Sequence, residues 1–232
     1  MTIYALHGFL GRPKDWDGFT FNSKLKTVDL FDCNLFPHSD GLHNCAENFK
    51  IPEQNQKNIL MGYSLGGRMA LHLLKHNPQL WQGVILISTH PGLKNPKEKQ
   101  KRIESDSQWA HRFKTEPWNQ LMRDWNSQEV FKGHNKLSSE GDFGRKMLSD
   151  VLNYWSLGTQ DDFSSTLQTI DIPILWITGA EDKSYSALAD SLTFHHPLSR
   201  KWASPNSAHR VPWENPKEFQ EQVNQFLFEL NR

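Results

Sequence analysis

Two cysteines in 232 residues, Cys33 and Cys45, are too few for a disulfide framework, and their spacing fits no metal-ligand pattern. They are expected to be free thiols. Long apolar runs are also missing, and none approaches the roughly 18 residues of a membrane span. Net charge is absent: 26 Lys and Arg balance 26 Asp and Glu. That balance excludes a bulk electrostatic drive toward nucleic acid or an anionic membrane surface. Met1-Thr2-Ile3-Tyr4 enters strand-like sequence without a basic n-region or apolar h-region, so no signal peptide is expected and the setting is read as cytoplasmic. No internal repeat, cofactor motif or metal cluster is visible, and neither cofactor nor metal is expected. Oligomeric state cannot be read from these residues.

What is present is a strand–helix alternation over a length that suits one α/β domain with an insertion. Ile3 to Leu6 reads as a strand, Trp16 to Leu25 as helical, and Thr27 to Leu30 as a second strand. Phe31 to Cys45 reads as loop, and Ala46 to Gln56 as a polar, short-helix stretch. Asn58 to Met61 is strand-like and Leu65 to His76 helical, closed by Asn77-Pro78. Gly83 to Ser88 and Ile172 to Gly179 are continuous apolar runs, as strands buried on both faces of a parallel sheet require. Ala187 to Phe194 reads as helix, Lys201 to Ala203 as a last strand, and Pro216 to Leu230 as an amphipathic helix.

The sequence is organised around Gly62-Tyr63-Ser64-Leu65-Gly66. It follows an apolar run and opens a helical pattern, which is the context of a sharp strand-to-helix turn with Ser64 at its tip. The plain structural alternative is a glycine-rich turn whose serine only caps the helix. A serine hydroxyl becomes reactive when a histidine takes its proton and a carboxylate fixes that histidine's tautomer. In α/β-hydrolase folds the chain order is serine, acid, histidine. Here the late strand Ile172–Thr178 is followed by Glu181-Asp182, and 27 residues beyond Asp182 stands His209. Asp182 is favoured over Glu181 because it lies past the turn, and His209 over His195-His196, which sit at a helix end. The fold read is therefore an α/β-hydrolase fold, a mostly parallel sheet flanked by helices.

Two further features bear on chemistry. His7-Gly8-Phe9 follows the first strand, so the backbone N–H groups of Phe9 and Leu65 are placed to form an oxyanion hole, with His7 structural beneath the loop. The other histidines, His90 aside, are given no role. Arg68 lies one helical turn beyond Ser64. A buried guanidinium there needs either an acidic partner or an anionic substrate. Residues 92–146 carry 12 Lys and Arg against 8 Asp and Glu, and their apolar residues are spaced as short amphipathic helices. This segment is read as a helical cap over a core of 1–91 and 147–232. With several of the nine tryptophans on it, the cap is expected to serve as an anion-binding lid.

Taken together, His7-Gly8-Phe9-Leu10-Gly11, Gly62 to Arg68, His90-Pro91-Gly92-Leu93, Ser105 to Trp109 with Arg112-Phe113, Thr115-Glu116-Pro117, Val130-Phe131, Gly179 to Asp182 and Glu214-Asn215-Pro216 resemble a known family. It is the α/β-hydrolase-fold synthase family of menaquinone biosynthesis that makes 2-succinyl-6-hydroxy-2,4-cyclohexadiene-1-carboxylate. The resemblance implies a lyase in which Ser64, activated by His209 and Asp182, removes a ring proton and pyruvate is expelled from a polycarboxylate substrate. It also implies that Arg68, Arg102, Trp125 and Tyr63 contact that small anionic substrate. Arg145 matches a further arginine, with Lys146 competing for the role. An ester hydrolase with the same triad is the alternative activity. The chain departs from the family pattern in beginning at the His-Gly strand, in Phe31-Asp32-Cys33-Asn34 standing where Pro-Gly-His-Gly is customary, and in Ala208 preceding His209.

Overall fold

Alternating side chains of short apolar strands dictate a sheet that must be covered twice. β1 (Thr2–Leu6) points Ile3 and Ala5 to one face and Tyr4 and Leu6 to the other, and all are buried. The computed structural model describes residues 1–50, 58–131 and 138–232. In them the chain continues through β2 (Lys24–Val28), α1 (Leu42–Asn48), β3 (Asn58–Tyr63), α2 (Leu65–His76) and β4 (Trp81–Ile87). A helical stretch follows, with α3 (Pro96–Thr115), α4 (Trp118–Asn126), α5 (Arg145–Tyr154) and α6 (Ser164–Thr169). β5 (Ile174–Gly179), α7 (Lys183–Ser191), β6 (Arg200–Ser204), α8 (Val211–Glu214) and α9 (Pro216–Glu229) complete it.

The six strands run in the order β2-β1-β3-β4-β5-β6, and every pairing is parallel. β3 and β5 are buried at every residue, whereas the edge strands β2 and β6 expose part of theirs. Lys24, Lys26, Arg200 and Lys201 sit on those edges and oppose edge-to-edge pairing. On one face α9 packs Phe219, Val223 and Phe226 onto Ile59, Met61, Ile85 and Ile177. On the other, α1 and α2 join the interior of the α3–α6 stretch around Leu60, Leu86 and Trp176.

Two sequence expectations change. Trp16 to Leu25 is not a helix but a 3-10 turn (Pro13–Trp16), an irregular loop and the start of β2. Its aromatic residues pack one at a time: Trp16 and Phe19 onto Trp213, and Phe19 and Phe21 onto Phe219. Side chains of α9 then satisfy the loop backbone, Gln220 and Asn224 accepting from the N–H groups of Thr20 and Asn22. The helix expected from Ala46 begins earlier, at Leu42, and ends at Asn48; residues 51–56 of that expectation lie outside the described residues.

Candidate active site

Parallel strands all end on the same side, so the turns that leave them gather into one place. At the end of β3, Ser64 has φ 52° and ψ −110°, the left-handed strain of a sharp turn. Its N–H donates to Ile87 O at 2.8 Å, so β4 holds the turn in place. Gly62 and Gly66 make the turn possible. A Cβ on Gly62 would collide with the Gly66 carbonyl, and one on Gly66 with the carbonyls of Leu6 and His7.

Asp182, the N-cap of α7, accepts from Tyr185 N–H at 3.2 Å through Oδ1 and faces His209 Nδ1 at 2.9 Å through Oδ2. His209 Nε2 lies 3.1 Å from Ser64 Oγ. Ser64, His209 and Asp182 thus form one hydrogen-bonded line, while Glu181 faces solvent. The two late loops are stitched together by backbone bonds of 2.9 Å, Ala180 N–H to Ser204 O and Glu181 N–H to Ser207 O. Glu214 accepts from Ala208 N–H at 2.5 Å and holds the histidine loop from below. His209 is 2 % exposed, ringed by Tyr63, Phe131 and Tyr185.

Above this line is a cavity of about 390 Å³, within the size range of small-molecule sites. Phe9, Tyr63, Ser64, Leu65, Arg68, Arg102, Trp125 and His209 all line it. Leu65 is the first residue of α2, so its N–H has no partner within the helix. The Phe9 N–H likewise has no acceptor among the described residues. His7, 1 % exposed, fixes the loop beneath: Nδ1 donates to Gly8 O and Nε2 accepts from Leu30 N–H.

Arg68 answers the choice the sequence left open. It is buried, yet its Nε donates to Gln160 Oε1 (2.5 Å) and its Nη2 to Trp155 O (2.6 Å), both neutral. Burial, then the charge of Arg102, lowers its pKa to about 10. Gln160 is itself aimed by donating to His90 O at 3.0 Å. Arg102, one face of α3, is held by both oxygens of Asp106 at 2.9 Å, and Asp106 also accepts from Ser156 Oγ at 2.7 Å. Trp125 packs against Phe9, Trp109 and Phe113 at 5.0–5.5 Å between ring centroids. Such aromatic contacts contribute about 0.5–1.5 kcal/mol each and clasp α3 and α4 onto the loop after β1.

Arg145 and Lys146 do not reach the cavity. The Arg145 guanidinium donates to the carbonyls of Phe113 and Glu116 at the end of α3 and to Glu140, a capping role that the helix dipole favours. Lys146 pairs with Asp150 at the surface. Arg210 is the third arginine on the cavity wall, donating to Asn126 Oδ1 at 2.9 Å and lying over Phe131 at 4.6 Å. Among the residues of this site that escaped the sequence reading are Asp106, Trp155, Gln160, Tyr185 and Arg210. Of these, Asp106, four residues after Arg102 on a helix, and Arg210, beside His209, left a local signal.

Residues 38–201 match the family described as serine aminopeptidase, S33. The 2-succinyl-6-hydroxy-2,4-cyclohexadiene-1-carboxylate synthase of Pectobacterium atrosepticum is 31 % identical over 249 residues, 97 % of this chain and 93 % of the relative. That of Serratia proteamaculans is 29 % identical over 239 residues, covering 96 % and 91 %. Among solved structures, MenH from S. aureus superposes with a TM-score of 0.81 at 21 % identity, covering 100 % of this chain and 95 % of that one. The chain belongs to the serine aminopeptidase S33 family of α/β-hydrolase-fold enzymes and, by its relatives, to the 2-succinyl-6-hydroxy-2,4-cyclohexadiene-1-carboxylate synthases.

Proposed function

We propose that this chain is a carbon–oxygen lyase of menaquinone biosynthesis. It converts 2-succinyl-5-enolpyruvyl-6-hydroxy-3-cyclohexene-1-carboxylate into 2-succinyl-6-hydroxy-2,4-cyclohexadiene-1-carboxylate and pyruvate. His209 draws the proton from Ser64 Oγ, and Asp182 holds the imidazole with Nδ1–H toward its carboxylate. The serine oxygen takes the proton from ring C2; the C–H pair becomes the C2=C3 bond, the C3=C4 pair shifts to C4=C5, and the C5–O ether bond breaks. The departing enolpyruvate takes a proton to become pyruvate, so no acyl-enzyme forms and no water is consumed. The N–H groups of Phe9 and Leu65 receive the negative charge that develops on the way.

One observation carries the choice of an elimination on a polycarboxylate over simple ester hydrolysis. Among the described residues, buried Arg68 is hydrogen-bonded to neutral acceptors and feels Asp106 only at a distance, one turn from Ser64 and on the wall of the same cavity. Such a charge costs several kcal/mol unless something anionic completes it, and a substrate carboxylate does so with the bidentate fit of guanidinium. Arg102 and Tyr63 serve the same substrate, and Trp125 forms an apolar wall. Residues 92–146 act as the cap that brings Arg102 and Trp125 over the sheet.

No helix among the described residues is long and apolar enough to cross a membrane. A cytoplasmic setting goes with this reading, in keeping with Cys33 and Cys45 both being free thiols. The deciding assay supplies the enolpyruvyl substrate and follows pyruvate, with p-nitrophenyl esters alongside. Pyruvate release with slow ester turnover is expected; fast ester turnover without pyruvate would sink the lyase reading in favour of an esterase.

A further inference from the structure

Two turns beyond Ser64, α2 carries a residue that the active site does not use. His72 is 2 % exposed, and neither of its ring nitrogens has a hydrogen-bond partner among the described residues. A neutral imidazole has one N–H to donate and one lone pair to fill, so a buried ring with both nitrogens unmet is chemically incomplete. Next to it stand His43 from α1 and Asp161 from the turn before α6. One ligand-type atom from each of the three lies within 4.8 Å of the others. His76, one turn on from His72, meets His43, with Nε2 and Nδ1 3.1 Å apart.

We propose that His43, His72 and Asp161 form a binding site for one divalent transition-metal ion of the zinc class, with His76 fixing the ring of His43. Two imidazoles and a carboxylate suit zinc rather than magnesium or calcium, which take oxygen ligands. Binding needs neutral imidazole.

Zinc at about 2.0–2.2 Å from each ligand sets the ligand atoms roughly 3.3–3.6 Å apart. His72 is the fixed point, since its ring packs edge-on to Phe163 at 4.7 Å inside the fold. His43 is exposed and Asp161 half-buried, so those two side chains close the remaining distance. Two cations oppose the ion: the buried Arg68 charge acts on His72, and Asp161 Oδ2 already lies 2.8 Å from Lys75 Nζ. The Lys75 side chain is 44 % exposed and free to swing into water. The bound ion would tie α1 and the turn before α6 to α2, directly behind Arg68.

The test titrates zinc chloride into the full-length, chelator-treated protein by calorimetry and follows the melting temperature in parallel. One ion per chain and a raised Tm are expected, with no such response to magnesium chloride. His43→Ala and Asp161→Asn, both at the surface and outside the catalytic machinery, should each weaken zinc binding by more than the roughly tenfold typical of a lost outer-shell partner. Lys75→Gln should strengthen it by removing a competing cation. Because these variants change exposed or half-exposed side chains, the test does not depend on replacing buried His72. Failure of the wild type to take up zinc, or equal uptake by the wild type and both ligand variants, overturns the proposal.

Discussion

The floor of the cavity and its roof are held by different kinds of bond. Ser64, Asp182 and His209 stand on turns at the ends of β3, β5 and β6, pinned by main-chain bonds such as Ser64 N–H to Ile87 O and Glu181 N–H to Ser207 O. Arg102, Asp106 and Trp125 stand on α3 and α4, which are held by ion pairs and aromatic contacts. Main-chain bonds belong to the fold and survive almost any substitution. Side-chain bonds change with the residues that make them. On the proposed function, the floor fixes which proton moves, and the roof fixes which molecule is present when it does. Arg68 straddles the two, rooted in the floor helix but hydrogen-bonded to Trp155 and Gln160, which follow α5.

The sharpest break of the floor is Ser64→Ala, which should lower pyruvate release by about 10³-fold or more with the fold intact, as judged by circular dichroism and steady-state assay. Retention of activity would remove Ser64 from the mechanism. Arg68→Met comes next and tests the straddling position. It should lower kcat/KM by roughly 10²–10³-fold while leaving Tm unchanged or higher, since an apolar replacement of similar length removes an uncompensated buried charge. A large fall in Tm would make Arg68 a structural residue. Asp106→Asn acts chiefly on the roof, by loosening the hold of the carboxylate on Arg102 Nε. A rise in KM of about tenfold with kcat nearly constant is expected, and a kcat effect of the same size would join roof to floor.

The smallest effect on turnover belongs to His72, but it has a clear signature in stability. Its pKa is about 3 in the folded chain against an ordinary 6.5. Below pH 6.5 the unfolded chain binds a proton that the folded chain refuses, so stability is full above 6.5 and falls as pH drops toward 3. At pH 5 the loss from this residue is about 2 kcal/mol. Urea denaturation of metal-free protein at pH 7 and pH 5 should show that loss, and His72→Gln should reduce the pH dependence by the same amount. An unchanged pH dependence in His72→Gln would mean that this imidazole is protonated within the fold.

The same division decides how much was legible in the sequence. Strands buried on both faces read as unbroken apolar runs, and β4 and β5 stood out for that reason. The triad was legible because chain order and turn position are local features, and Ser64, Asp182 and His209 each sit just past a strand. What could not be read is what the roof brings in from afar. Gln160 meets Arg68 across 92 residues and no periodicity connects them. Tyr185 lines the cavity only because α7 starts just after Asp182 and carries its first turn toward His209. Trp16 to Leu25 reads as helical; in the fold its aromatic residues pack one at a time against α8 and α9. Arg145 had the right charge in the right region, but the carbonyl end of α3 claimed it first.

Ser64, Arg68, His72 and His76 recur every four residues along α2. Each residue turns the helix by about 100° and advances it about 1.5 Å. A one-residue deletion between Leu65 and Arg68 would therefore swing Arg68 out of the cavity and His72 away from His43 and Asp161 together. Substitutions along this helix act one at a time, whereas a change in its length acts on every station at once. Over evolutionary time α2 should accept insertions or deletions hardly at all.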